Sequence, residues 1–159
     1  MNHYDAPWSK SLIVISSLST ALCVAVSFSL ARIGQPWPAL GPLAIVIGSA
    51  LFTIRGYTVT SDAILVHRLL WTTRLSLAGF QSAKVDPRAM RQGIRTFGNG
   101  GIFSFTGFFR SRSLGNYRAY VTDPSRTVVL RYAKRTLVVS PAAPEDFVRE
   151  ITSLCHTAQ

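Results

Sequence analysis

Apolar positions crowd the first third of this chain and alternate with polar ones through most of the rest. Residues 11–31, SLIVISSLSTALCVAVSFSLA, carry no formal charge over 21 positions. That length suffices to cross a hydrocarbon layer roughly 30 Å thick. A second uncharged run at 37–54, WPALGPLAIVIGSALFTI, matches the shortest spanning helices. Only Arg32-Ile33-Gly34-Gln35-Pro36 separates the two. The pattern predicts a transmembrane helical hairpin over 11–55, with spans at 11–31 and 37–54, behind a short N-terminal tail at 1–10.

From Gly56 the period changes to two. Residues 57–60 (YTVT) and 63–68 (AILVHR), either side of Ser61-Asp62, read as a hairpin of β-branched strands. Residues 69–77 (LLWTTRLSL) put Leu75 and Leu77 on one face and Arg74 and Ser76 on the other. A further strand begins at Phe80 and is broken by Asp86-Pro87. Residues 117–121, 127–132 and 135–139 continue the pattern, with turns at 123–125 and 133–134. Pro144, Glu145 and Asp146 then open a helix, proline in its first turn and acids at its positive pole. Phe147, Val148, Ile151, Leu154 and Cys155 recur at helical spacing and form one apolar stripe, which the open mouth of a small barrel would bury. The expected architecture is an α+β membrane protein. Its helical hairpin leads into a water-facing domain at 56–159, an antiparallel barrel or sandwich of six or seven strands capped by a C-terminal helix.

Composition agrees with this division. With 159 residues there is room for about one core, and 48% hydrophobic against 15% charged residues is too apolar for disorder. The formal charge of +10 is also uneven: fourteen Lys/Arg and six Asp/Glu follow residue 55, giving +8, against three and one up to it, giving +2. The hairpin tip holds Arg32 alone, whereas Lys10 precedes the first span and Arg55, Arg68 and Arg74 follow the second. The positive-inside rule therefore places both termini in the cytoplasm, and Trp8 and Trp37 suit the two interfaces. A cleaved signal peptide is the rival reading of 11–31. Ser29 and Ala31 would suit its cleavage site, but the stretch is too long and lacks a strongly basic start. Cys23 and Cys155 fall in different compartments, so no disulfide is expected. A basic domain joined directly to membrane spans has the anionic inner leaflet as a candidate partner, at about 1 kcal/mol per held Lys or Arg. The plainer reading is a solvated face that also enforces topology.

Residues 97–109, FGNGGIFSFTGFF, hold four glycines and five phenylalanines. No lysine and hydroxyl residue follow the glycines, so a phosphate loop is excluded, and no βαβ unit surrounds them for a dinucleotide. The aromatic strip beside Arg110 and Arg112 imitates a base-stacking surface. The strand order is not that of an RNA-recognition module, and nucleic-acid binding is not expected. Asn99-Gly100 favours a tight turn, and Gly98, Gly101 and Gly107 permit bends. Some of Phe97, Phe103, Phe105, Phe108 and Phe109 belong to a core, but five exceed what one inward face can bury. The excess predicts a contact patch for lipid or a partner, with Phe103, Phe105, Phe108, Phe109, Arg110 and Arg112 as candidates.

In the hairpin, Ser17, Ala21, Ala25 and Ser29 recur every four residues, and Ala44 and Gly48 repeat the spacing on the second span. Such small-residue ridges let helices approach closely, either within the hairpin or against another membrane subunit. Nothing asks for catalysis. His3, His67 and His156 have no metal spacing, the acids sit in turns and at a helix start, and no catalytic residue, metal or cofactor is expected.

Strands followed by one C-terminal helix resemble the pleckstrin-homology superfold. The motif at 97–109, then Leu114-Gly115-Asn116-Tyr117-Arg118-Ala119-Tyr120, then Ser140-Pro141-Ala142-Ala143-Pro144-Glu145-Asp146-Phe147, resembles the bacterial PH domain family over roughly residues 56–155. The resemblance implies a domain behind one or two transmembrane helices and a binding or scaffolding role without enzymatic activity. On it, the chain is expected to be an accessory subunit in the bacterial cytoplasmic membrane, with a membrane protein partner or a homo-oligomer. The alternative is a sensor of anionic lipid headgroups. Phosphoinositide-binding relatives carry a basic cluster in the first hairpin loop; here that loop is Ser61-Asp62. Ala142-Ala143 likewise stand where the family has an acidic cap before the helix.

Overall fold

The computed structural model describes residues 2–157; residues 158–159 of the expected domain and the His156 side chain lie outside the described residues. The chain opens on a short strand, β1 (Asn2–Asp5), and enters helix α1 (Lys10–Arg32). Ser9 caps α1 by accepting from the Leu12 amide at 3.2 Å. After Ile33–Gln35 the chain turns back into α2 (Pro36–Leu51), which packs along α1. Pro36 at the first helical position suits its missing N–H. Among the described residues, α1 alone is long and apolar enough to cross a membrane by itself; α2 is a shorter apolar helix.

The domain follows as β2 (Ile54–Val59), β3 (Ala63–Arg68), β4 (Thr72–Ser76), β5 (Phe80–Val85), β6 (Ile94–Gly100), β7 (Phe105–Ser111), β8 (Gly115–Val121), β9 (Val128–Tyr132), β10 (Thr136–Val139) and helix α3 (Pro144–Thr157). Two sheets form, one ordered β1-β2-β3-β4 and the other β5-β9-β10-β8-β7-β6. The strands are more numerous than expected, and their pairing is not wholly antiparallel, because β10 lies between β9 and β8 and runs parallel to β8. The reason is the connection after β8. It crosses the end of β10, where the buried Ser140 hydroxyl accepts from the amides of Thr122 (2.9 Å) and Asp123 (3.2 Å). Residues 1–10 are not simply a tail, since Asn2–Asp5 pairs with β2 from Val59 to Gly56. The strand expected over 69–77 is also shorter; residues 69–71 turn the chain, closed by the Arg68 amide on the Trp71 carbonyl.

The main core lies between the sheets and beneath α3. Tyr57, Ile64 and Val66 from one sheet meet Tyr120, Leu130 and Val139 from the other, and Phe147 and Ile151 close the end. The apolar stripe of α3 is therefore buried as its periodicity demands, with the Phe147 ring edge-on to Tyr4 at 5.2 Å. A smaller cluster covers the far side of the larger sheet, where Ala89 and Met90 fold over Phe109, Tyr117 and Val121.

Candidate functional site

Within the glycine–phenylalanine stretch, β6 runs through Gly100 and the turn falls at 101–104, one step later than Asn99-Gly100 suggests. The shift follows from the Asn99 side chain, which accepts from the Ile102 amide at 3.1 Å and donates to the Ile102 carbonyl. Gly98 and Gly107 lie opposite each other on β6 and β7. Their φ values are +112° and +145°, and a Cβ on Gly107 would stand 2.2 Å from the Phe97 carbonyl oxygen. Only glycine fits so close an approach at such angles.

The five phenylalanines divide as alternation along β7 requires. Phe109 is 5% exposed and stacks on Tyr117 at 5.8 Å, so it is a core residue and not a contact residue. Phe105 packs against the same cluster. Phe103, at φ +62°, lies 6.0 Å from the Trp8 ring, and its amide donates to the Ser16 hydroxyl at 2.9 Å. It joins the domain to α1. Phe108 points to the opposite face, 51% exposed, and its cross-strand neighbour Phe97 is 76% exposed. Phe97 and Phe108 are thus the two phenylalanines of this stretch that are exposed. Arg110 and Arg112 are exposed but stand toward the far end of β7, Arg110 roughly 17 Å along the strand from Phe105. They border a separate polar hollow with Gln92 and Ser111.

The helix ridge is equally selective. Ser17, Ala21, Ala25 and Ser29 all remain exposed, whereas Ser27 and Ala39 are buried and Thr20, Cys23 and Leu30 half-buried. The helices thus pack through a neighbouring face of α1, and the ridge is left open. Ala44 and Gly48 of α2 face a groove of about 530 Å³ whose other wall is Phe97, Gly98, Gly107 and Phe108.

Arg95 and Arg118 line this groove, and Arg68 lies against its Phe52 wall. The Arg118 guanidinium lies over the Phe108 ring at 5.3 Å and the Tyr120 ring at 5.1 Å. Arg95 reaches back along β6 and donates to the Gly98 carbonyl at 3.2 Å. Arg68, 7% exposed, donates to the Phe52 carbonyl just past α2 (3.1 Å) and to the Thr73 hydroxyl (3.2 Å), among the rings of Phe52, Trp71 and Tyr120. None of these three arginines has a carboxylate partner among the described residues. Burial first, and Arg118 in addition, hold the Arg68 pKa below the ordinary arginine value despite the nearby tyrosines. The Tyr120 hydroxyl is buried without a hydrogen-bond partner among the described residues; burial raises its pKa against the pull of Arg118, Arg68 and Arg135. The local field is strongly positive.

Two other features were not visible in the chain order. His3 and His67 come together with ring centroids 5.6 Å apart, both bonded to the Thr58 hydroxyl. Desolvation and then His3 lower the His67 pKa, which favours the neutral form of that imidazole. Among the described residues no three of His, Cys, Asp and Glu gather as a metal site. In the first hairpin loop Asp62 is paired with Arg74.

A family model described as Bacterial PH domain matches residues 55–155. No curated protein and no solved structure matches the chain.

Proposed function

The chain belongs to the bacterial PH domain family, and on that premise we propose that it is a non-enzymatic binding module anchored in the bacterial cytoplasmic membrane, holding a membrane protein partner as an accessory subunit. One observation carries the reading: the helix pair is inserted between β1 and β2, hydrogen-bonded neighbours in one sheet. Both ends of the pair start from the same side of the domain, so a helix that leaves into lipid is followed by one that returns. Exposed Leu18, Leu22, Phe28, Leu40, Ile45 and Ile47 favour lipid around both helices. At 16 residues, α2 is about 24 Å long, against a hydrocarbon layer of roughly 30 Å. Local thinning of the bilayer accommodates such a mismatch at fractions of a kcal/mol per Å. Charge asymmetry favours a cytoplasmic domain and cytoplasmic termini.

The base of the pair is tied down by Phe103 on Ser16, by Ser104 and Arg68 on the Phe52 carbonyl, and by the Ser9 amide on the Thr122 carbonyl. A partner gripping the open ridge Ser17, Ala21, Ala25 and Ser29 is then held at a set orientation to the domain. Purified in mild detergent from its own membranes, the full-length protein is expected to carry a stoichiometric membrane partner, identified by mass spectrometry. Changing Ala21 and Ala25 to leucine should release it. Extraction of the protein by alkaline carbonate overturns the anchoring; purification without any protein partner overturns the accessory role.

A further inference from the structure

The groove between α2 and the β6–β7 hairpin is not explained by packing. Its volume of about 530 Å³ falls in the range of small-molecule sites, roughly 300–1,000 Å³. Small residues on both walls keep it open: Ala44 and Gly48 on the helix, Gly98 and Gly107 on the sheet. A Cβ on Gly48 would meet nothing within 4 Å, so no packing contact excludes a larger side chain there. The rest of the lining is mostly apolar, with Ile45, Phe52, Phe97, Ile102 and Phe108 beside Ser49, Asn99 and Thr106. Arg95 and Arg118 stand in it without a carboxylate.

We infer that this groove holds one anionic phospholipid, with an acyl chain along Ile45, Phe97 and Phe108 and the phosphate on Arg95 and Arg118. The inference rests on the membrane-anchored reading and names a ligand within it. A lipid suits the site for two reasons. The groove is walled by the second half of α2, where exposed Trp37, Gly41 and Ala44 share the helix face that carries Gly48, so a chain lying on that face runs directly into it. The cations are placed where that chain would end. The Arg118 guanidinium lies over the rings of Phe108 and Tyr120, and a guanidinium offers phosphate oxygens a fork of edge donors. Arg68 behind Phe52 adds a third positive charge. A free phosphate would use the arginines and leave the apolar wall without a purpose.

The test uses the full-length protein reconstituted in vesicles containing phosphatidylglycerol and phosphatidylcholine, re-extracted in mild detergent and weighed by native mass spectrometry. One phosphatidylglycerol per chain is expected to remain bound in preference to phosphatidylcholine. Arg95→Gln and Arg118→Gln should each weaken retention about fivefold, the equivalent of about 1 kcal/mol per cation at an anionic surface. Gly48→Phe should abolish it by filling the groove, while Ile47→Phe, exposed on α2 and outside the groove lining, should leave it unchanged. Equal retention by the Gly48 and Ile47 variants overturns the inference. So does equal retention of the two lipids, or displacement of the lipid by glycerol phosphate, which would mark a site for free anions. A chain that resists carbonate and keeps its protein partner while retaining no lipid refutes the groove assignment alone.

Discussion

At the scale of single residues, Arg68 shows how a charge can be buried without an opposite charge. Its planar guanidinium spends donors on Phe52 and Thr73 while three aromatic faces surround it. The carbonyl it reaches lies just beyond the last turn of α2, at the negative end of the helix dipole. Lysine offers neither the fork nor the flat stacking surface. Arg68→Lys is therefore expected to lose about 1.5–3 kcal/mol, the value of hydrogen bonds to a charged group, in thermal or denaturant unfolding in detergent. Stability equal to the unaltered protein would refute that role. Sequence showed Arg68 only as one of the charges flanking the second span, because its partners stand 16 and 5 residues away.

Tyr57 gives a second residue-level expectation, this time in pH. It donates to the Tyr120 carbonyl at 2.6 Å and accepts from the Ser140 amide at 3.2 Å, and burial pushes its pKa from 10.0 up to about 12. An unfolded tyrosine loses its proton first, so between these values the unfolded chain binds fewer protons and stability falls as pH rises. Below pH 10.0 the stabilising contribution is complete. Tyr57→Phe should be less stable at neutral pH by about 1–3 kcal/mol, because two buried backbone groups lose their partner. It should also show a shallower alkaline decline. Denaturant midpoints at neutral pH and midway between the two pKa values test both, and parallel declines would refute the titration argument.

At the scale of elements, the β6–β7 hairpin depends on its paired glycines. Gly107→Ala forces a Cβ to 2.2 Å from the Phe97 carbonyl and should separate β6 from β7, seen as lost hydrogen-exchange protection of β6 amides. Gly79, at φ +75° with nothing within 4 Å, is the control. Its alanine variant should cost only the left-handed penalty of about 1–2 kcal/mol and leave β6 protected. Matching exchange in the two variants would contradict the close-approach argument. Helix α3 gives the opposite kind of element, one held by its buried stripe. Phe147→Ala should cost about 3–5 kcal/mol in the same unfolding assay, and a loss under 1 kcal/mol would mean that α3 is not a structural cap. Here the sequence was easy to read. Pro144 and the acids mark the start, and five apolar positions share one face. Strands β3, β9 and β10 were legible for a similar reason, their β-branched runs ending in recognisable turns, and β5 by the Asp86-Pro87 break that ends it. β1 was not, because Asn2, His3, Tyr4 and Asp5 show no alternation and the strand they pair with, β2, is distant in sequence. The excess of phenylalanine between 97 and 109 was also legible, but not which rings were exposed. A bulge between Arg95 and Phe97 resets the phase of β6 and turns Phe97 toward Phe108.

At the scale of the molecule, the consequence of β1 is mechanical. A tail would let the helix pair swivel on a single connection, whereas strands on both sides hold it at two. The Tyr4 hydroxyl donates to Glu150 on α3, so the N-terminal anchor reaches across to the cap of the domain. With the domain fixed to the helices, one labelling experiment separates crossing from shallow insertion, the question raised by the short α2. In a background with Cys23 and Cys155 changed to serine, Gln35→Cys lies exposed at the tip of the pair and Ser61→Cys in the exposed first hairpin loop of the domain. On the proposed topology a membrane-impermeant maleimide added to intact cells, with the outer barrier made permeable where one exists, labels Gln35→Cys and reaches Ser61→Cys only after lysis. If Gln35→Cys also waits for lysis, the pair dips into the cytoplasmic leaflet and returns without reaching the far side. The ridge Ser17, Ala21, Ala25 and Ser29 would then meet only partners embedded from the same side. If Ser61→Cys is labelled first, the domain is outside and the charge asymmetry has been read with the wrong sign.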